Sequence, residues 1–321
     1  MRNARLGSDE AGAELRRPAR RLGFDVDRLA LALAGRGRGH ATLDAAMLWG
    51  SAMALLVRTP APPLGAYVAL LWYEENEQPG QGLERVMPTG AAELVMPANE
   101  AADGAAHALD GATAGAPLVV GPQSRSLVIR RHPGAALLGV HFRPGGGRAL
   151  LGVPLDALRD RVSPLDEVLG SPARRALFER VRDGATPGAM LDRLERALLA
   201  RLAGAAPRHP AVPHVLQRLH GPRPCRVEDL AAEFGLSARW LRLVFNEEVG
   251  LGPRRYARVA RFHRALAALP PAGRPAWAAV AAAAGYCDQP HLVREFREFA
   301  GVEPTRYVAL RTENEFHIAV R

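Results

Sequence analysis

Gln289, His291 and Arg294 place an amide, an imidazole and a guanidinium at i, i+2 and i+5 of one short segment. On the exposed side of a helix such groups can pair with the donors and acceptors of nucleobase edges. An upstream segment, Arg239, Trp240, Arg242 and Leu243, offers long donors beside an apolar group that suits a thymine methyl. A different set, Glu93, His141 and Arg143, sits in apolar runs and is either a buried polar cluster or the anchor for an effector. His132 adds a metal-ligand type nearby, yet the usual His-x-His spacing is missing, so satisfied structural histidines are the simpler reading. The run Gly145-Gly146-Gly147 could cradle an anion, but a glycine turn with unusual φ explains it as well. No nucleophile triad, paired carboxylates or metal cluster stands out. The expectation is a protein without catalytic residues, metal or cofactor.

Base-reading side chains need helices to carry them, and one helical pair is written twice. Leu230 to Phe245 reads LAAEFGLSARWLRLVF, and Val280 to Phe296 reads VAAAAGYCDQPHLVREF. Each copy has a short apolar helix with a small residue (Ala231, Ala281) that stops at a glycine (Gly235, Gly285), where positive φ turns the chain tightly. Ser237 and Asp288 then mark the start of a second helix, because their side chains accept from the free amides of a first turn. The copies align at an offset of 50 residues up to the glycine and 51 after it, pairing Phe245 with Phe296, Gly250 with Gly301, Pro253 with Pro304 and Tyr256 with Tyr307. Such agreement marks an internal repeat.

Between the copies, Pro253 to Leu269 puts Tyr256, Val259, Phe262, Leu266 and Leu269 on one buried helical face, with Arg254, Arg258 and Arg261 on another. One rigid helix joining two recognition helices lets them enter successive major-groove segments about 34 Å apart.

Residues 213–312, closing on Gly301 to Tyr307 (GVEPTRY) with its echo Gly250 to Tyr256 (GLGPRRY), resemble the C-terminal DNA-binding domain of the AraC/XylS transcription regulators. The resemblance carries that family's base-reading positions onto Arg239, Trp240, Arg242 and Leu243 in the first helix and Gln289, Pro290, His291, Val293 and Arg294 in the second. Residues 58 to about 170, including Met87 to Leu94 (MPTGAAEL), Gly139 to Gly145 (GVHFRPG) and Gly152 to Leu155 (GVPL), resemble the cupin-like sensor domain of one subgroup.

Composition agrees. The chain has 321 residues, enough for two or three domains, and a net charge of +9 that favours a polyanionic partner. All 42 basic residues are arginine, which excludes a Walker-type phosphate loop and a Schiff-base lysine. Much of the arginine reflects compositional bias alongside abundant Ala, Gly and Pro. Cys225 and Cys287 are far apart, which suits a reducing cytoplasm and offers no cysteine-rich metal site.

Residues 1–57 are expected to be a poorly ordered extension, with Met47 and Met53 as alternative starts. Within it the apolar run Leu43 to Val57 is too short to span a membrane and reads as a short docked helix. Runs at 67–73, 92–97, 117–121, 126–131 and 136–142 read as strands, and 98–116 as a loop. Leu191, Leu194, Leu198 and Leu202 recur at helical spacing and are either core or a dimer surface.

The predicted fold is α+β: an N-terminal antiparallel β domain, a cupin-like barrel with flanking helices, over 58–204; a linker over 205–212; an all-α domain of two helix-turn-helix motifs joined by a long helix over 213–312; and a tail over 313–321. The function implied by the resemblance is a bacterial, cytoplasmic, DNA-binding transcription regulator, an activator, that answers a small-molecule effector. Its implied partners are double-stranded operator or promoter DNA, RNA polymerase and a second copy of the chain, with no membrane. The alternative reading is a cupin-type metal-dependent enzyme with an accessory helical domain.

Overall fold

The computed structural model describes residues 46–50, 53–76, 82–100, 102, 115–221, 225–271, 273–311 and 317–320. Of residues 1–57, expected to be a poorly ordered extension, 1–45 and 51–52 lie outside them, as does most of the 98–116 loop; 46–50 and 53–57 are strands, which corrects that expectation.

Two antiparallel sheets make the N-terminal half. The larger runs β1 (Ala46–Gly50), β2 (Met53–Arg58), β3 (Val68–Asn76), β8 (Ala136–Phe142), β5 (Glu93–Pro97), β6 (Leu118–Val120) and β9 (Val162–Pro164) in spatial order. The smaller runs β10 (His317–Ala319), β4 (Gly82–Val86) and β7 (Leu127–Arg131). Alternation sets the faces. Leu71, Leu94, Met96, Leu138, Val140 and Phe142 pack on helices, while Leu70, Trp72, Val95 and Leu137 line the opposite face.

The apolar run expected as a docked helix is instead two strands. β1 pairs β2, and β2 pairs β3 from Met53↔Asn76 to Arg58↔Leu71. Leu56 is buried on one face and Leu55 and Val57 on the other. A strand covered on both sides needs no polar positions, so periodicity could not separate it from a helix. β4, β9 and β10 are also absent from the sequence reading; β4 (GLERV) is half exposed with no clean alternation.

The helices on the sheet are α1 (Gly147–Leu151), α2 (Leu165–Leu169), α3 (Ser171–Arg182) and α4 (Pro187–Ala203). Leu191, Leu194 and Leu198 of α4 are at most 2% exposed within this core, so the leucine stripe is packing rather than a dimer surface.

The C-terminal half holds α5 (Ala211–His220), α6 (Val227–Ala232), α7 (Ala238–Val249), α8 (Pro253–Ala267), α9 (Trp277–Ala284), α10 (Gln289–Ala300) and α11 (Pro304–Leu310). α5 begins inside the segment expected as linker and packs into the helical core through Val212 and Val215. This core also takes Met87 from the N-terminal half and Ile318 from β10. The tail thus returns to the small sheet, where His317 pairs with Val86 in register and its Nδ1 lies 3.0 Å from Glu84 Oε2.

Candidate nucleic-acid interface

Both helix pairs form as the repeat predicts. α9 ends at Gly285 (φ +85°), and α6 ends at Ala232 with the turn closing at Gly235 (φ +65°), left-handed values that a side chain rarely adopts. At the start of α7, Ser237 Oγ accepts from Trp240 N at 3.2 Å; at the start of α10, Asp288 Oδ1 accepts from His291 N at 2.6 Å. Leu241 and Phe245 in α7, and Leu292, Phe296 and Phe299 in α10, bury their helices against α8 and its neighbours. α8 supplies Tyr256, Val259, Phe262 and Leu266, all buried, with Phe262 edge-on to Phe296 at 5.1 Å.

The outward faces differ between the copies. On α7, Arg239, Arg242 and Leu243 stand at i, i+3 and i+4 and share the exposed face. Leu243 is 54% exposed, with room for an apolar contact. Arg242 is tied to Glu228 at the start of α6, whereas Arg239 has no ion pair among the described residues. Trp240 is 39% exposed and packs edge-on to His209 at 4.8 Å, so its ring is partly committed to the protein.

On α10 Gln289, Pro290 and Arg294 are exposed and Val293 is half-buried; Arg297 and Glu298, nearer its end, are exposed too but ion-paired. The repeat sets Arg294 at the place of Leu243 and Pro290 at the place of Arg239. The expectation that Gln289, His291 and Arg294 share a face needs correction. At about 100° per residue, Arg294 points about 140° away from Gln289. His291 is half-buried, its ring edge-on to Tyr286 at 5.2 Å and its Nε2 3.5 Å from Glu295 Oε1. Arg294 has no ion pair among the described residues, so it is the long donor that α10 holds out.

Glu295 explains the arginines of α8. It is 5% exposed, and Oε1 accepts from Arg258 Nε at 2.7 Å and Arg261 Nη2 at 2.8 Å. Glu298 accepts from Arg255 Nη1 at 2.8 Å and also pairs with Arg258. Arg258 lies over the Phe299 ring and Arg261 over Tyr286, at 5.2 and 5.0 Å from the centroids. Burial pushes the Glu295 carboxyl up, but Arg261 and Arg258 outweigh it and hold it below the usual carboxylate range. Arg258 and Arg261 therefore clamp α10 to α8, so Arg258 is not a purely solvated or phosphate-facing arginine. Arg254 is exposed.

The β-rich half braces this module. Arg159 Nε donates to Gly250 O at 2.6 Å, and a Cβ on Gly250 would come within 2.5 Å of Pro122 and 2.9 Å of Leu155 O. His263 on α8 meets Pro88 O, and Arg255 donates to Ser124 Oγ at 3.1 Å.

The three candidate effector residues do not converge. Glu93 and His141 are cross-strand partners on β5 and β8, their side chains 3.7 Å apart, and Trp72 Nε1 donates to Glu93 at 3.2 Å. Arg143 lies elsewhere, donating through Nε to Gly65 O at 2.7 Å. Burial lowers its pKa, and the adjacent Arg208 lowers it further. No group of three metal-ligand residues occurs among the described residues.

Residues 230–309 match a family model described as a helix-turn-helix domain, and residues 57–164 match a domain of unknown function (DUF6597). No curated protein matches the chain. Among solved structures, ToxT from Vibrio cholerae in its unsaturated fatty acid bound form is 10% identical, covering 82% of this chain and 97% of that chain at a TM-score of 0.39. The AraC-like transcriptional activator CuxR is 14% identical, covering 69% of this chain and 86% of that chain at a TM-score of 0.22.

Proposed function

We propose that the chain is a DNA-binding regulator whose helix-turn-helix domain, matched over residues 230–309, sends both α7 and α10 into the major groove of operator DNA. The observation that carries this reading is that Leu243 and Arg294, equivalent positions of the two copies, both project outward from helices anchored on one joining helix. Arg239 and Arg294 are the donors ready for bases or phosphates, and Arg242 joins them once it leaves Glu228. Gln289, Pro290, His291, Val293 and Trp240 border the contact.

In this reading residues 58–204 sense a small molecule, residues 213–312 bind DNA, and the chain acts as a cytoplasmic activator that meets RNA polymerase and a second copy of itself. A dimer would use a surface other than the α4 leucines, which are buried. The free thiols of Cys225 and Cys287 suit a reducing compartment. No helix among the described residues is long and apolar enough to cross a membrane. Among the described residues no third metal-ligand side chain joins Glu93 and His141, which gives the metal-dependent enzyme little support, and the chain is read as non-catalytic.

The test is retention of the full chain on random duplex DNA across a salt series. A log-log slope of several units supports phosphate contact. A flat response, or no retention at about 50 mM salt, refutes the reading.

A further inference from the structure

A cavity of about 490 Å³ opens where the two halves meet, between α1, the end of α4, residues 204–208 and the last turn of α7. Gly145, Arg148, Gly152, Arg201, Arg208 and Glu248 are among its lining residues, so its walls are small and its polar groups mostly cationic. Arg148 pairs with Glu247 at 3.0 Å and lies 3.9 Å from Glu248 Oε1. Arg201 uses Nε to donate to Leu150 O at 2.8 Å, and Arg208 lies over the Tyr67 ring at 5.3 Å. Neither Arg201 nor Arg208 has a carboxylate within ion-pair distance among the described residues. Burial lowers the pKa of both guanidiniums, and at Arg208 the nearby Tyr67 and Glu248 only partly offset it.

Glu248 is the second observation. It is 5% exposed; Oε1 accepts from His209 N at 2.9 Å, while the buried Oε2 accepts from no group. A buried oxygen without a partner costs stability unless something outside the chain supplies one.

We propose that this cavity binds a small organic oxyanion, with Arg201 and Arg208 holding the anionic group and Glu248 pairing with a hydroxyl or amine next to it. The shared chemistry covers a hydroxycarboxylate and a phosphate ester. Such a ligand would touch α1 and α4 on one side and the first recognition helix on the other, because Glu248 belongs to α7. It is thereby the effector of the regulator proposed above, and this part of the inference rests on that reading. Arg143, adjacent to Arg208, adds positive potential from the β-rich half. Glu93 and His141 are not part of the site.

The experiment uses the full chain at constant ionic strength, titrated separately with inorganic phosphate and with malate, sodium chloride and glycerol serving as controls. Thermal unfolding is expected to rise by about 2 °C or more at millimolar concentrations of one oxyanion. Whichever acts more strongly separates the phosphate from the carboxylate class. The rise should vanish in the double variant Arg201→Gln, Arg208→Gln and persist in Arg175→Gln, an exposed residue of α3. The double variant should keep the circular dichroism and DNA retention of the wild type. Saturating oxyanion should also shift the DNA dissociation constant about fivefold or more. An equal rise in the double variant, or no effect of either probe on the wild type, overturns the site. A thermal shift with unchanged DNA affinity overturns the effector role. If DNA retention fails while the oxyanion titration succeeds, the regulator reading falls and the site stands.

Discussion

The amide of Ser126 donates to the carbonyl of Phe299 across 2.8 Å, so the last turn of the second recognition helix ends on a loop of the β-rich half. Met87, 1% exposed, inserts from the same half into the helical core. The two halves therefore share stabilising contacts although the sequence divides them cleanly.

Met87→Ala is predicted to destabilise the helical module by about 2 to 4 kcal/mol, through lost transfer energy and the cavity left behind. Hydrogen exchange of α8 and α10 amides reads this directly. In parallel, residues 208–321 expressed alone should still bind DNA, since both helix pairs lie within them, but should unfold at a lower temperature than the full chain. Equal stability of fragment and full chain would show that the shared core contributes nothing.

Arg294→Ala should cost about 1 to 3 kcal/mol at the preferred operator and relax the choice of one base, a guanine, whose O6 and N7 suit a guanidinium. Arg242→Ala should do less, because Arg242 must first give up Glu228. Both variants are measured against a panel of single-base operator changes. If Arg242→Ala erases base preference and Arg294→Ala leaves it intact, α7 rather than α10 is the main reader.

Glu295→Ala would leave Arg258 and Arg261 facing each other without their shared carboxylate, at a predicted cost of about 2 to 3 kcal/mol. Its effect on DNA should be the same for every operator, because the residue positions α10 without meeting a base. Arg258→Ala should act in the same direction and less strongly, since Arg261 still reaches Glu295. Unfolding midpoints of the three proteins decide the matter; an unchanged midpoint with weaker DNA binding would instead place Arg258 on phosphate.

His220 provides a pH test. Burial lowers its pKa, Arg264 lowers it further, and its Nε2 lies 2.7 Å from the Tyr256 hydroxyl. Below the ordinary histidine value, about 6.5, the unfolded chain takes up a proton that the folded one resists. Stability is therefore full above about pH 6.5 and falls as pH drops toward the depressed folded value, by at most about 1.4 kcal/mol per pH unit. Urea midpoints at pH 7.5, 6.0 and 5.0 should fall less steeply for His220→Asn than for the wild type. Parallel pH profiles would remove His220 from the account.

By itself the sequence determined the two helix pairs, the joining helix and five of the strands. Those signals are local: Gly235 and Gly285 need positive φ, Ser237 and Asp288 cap the next turn, and Tyr256, Val259, Phe262 and Leu266 repeat within one helix. Other features were decided only by the tertiary structure. Leu43 to Val57 has only Asp44 and Ser51 as polar positions, too few to reveal its period, so the neighbour β3 settled part of it as strand. The arginines of α8 look alike in one dimension, yet Arg258 and Arg261 are bound because α10 folds back and presents Glu295. The same folding turns His291 inward and leaves Arg294 outside, and brings Arg201, Arg208 and Glu248 around one cavity. Ion pairing and desolvation depend on which distant elements meet, which residue spacing within one element does not encode.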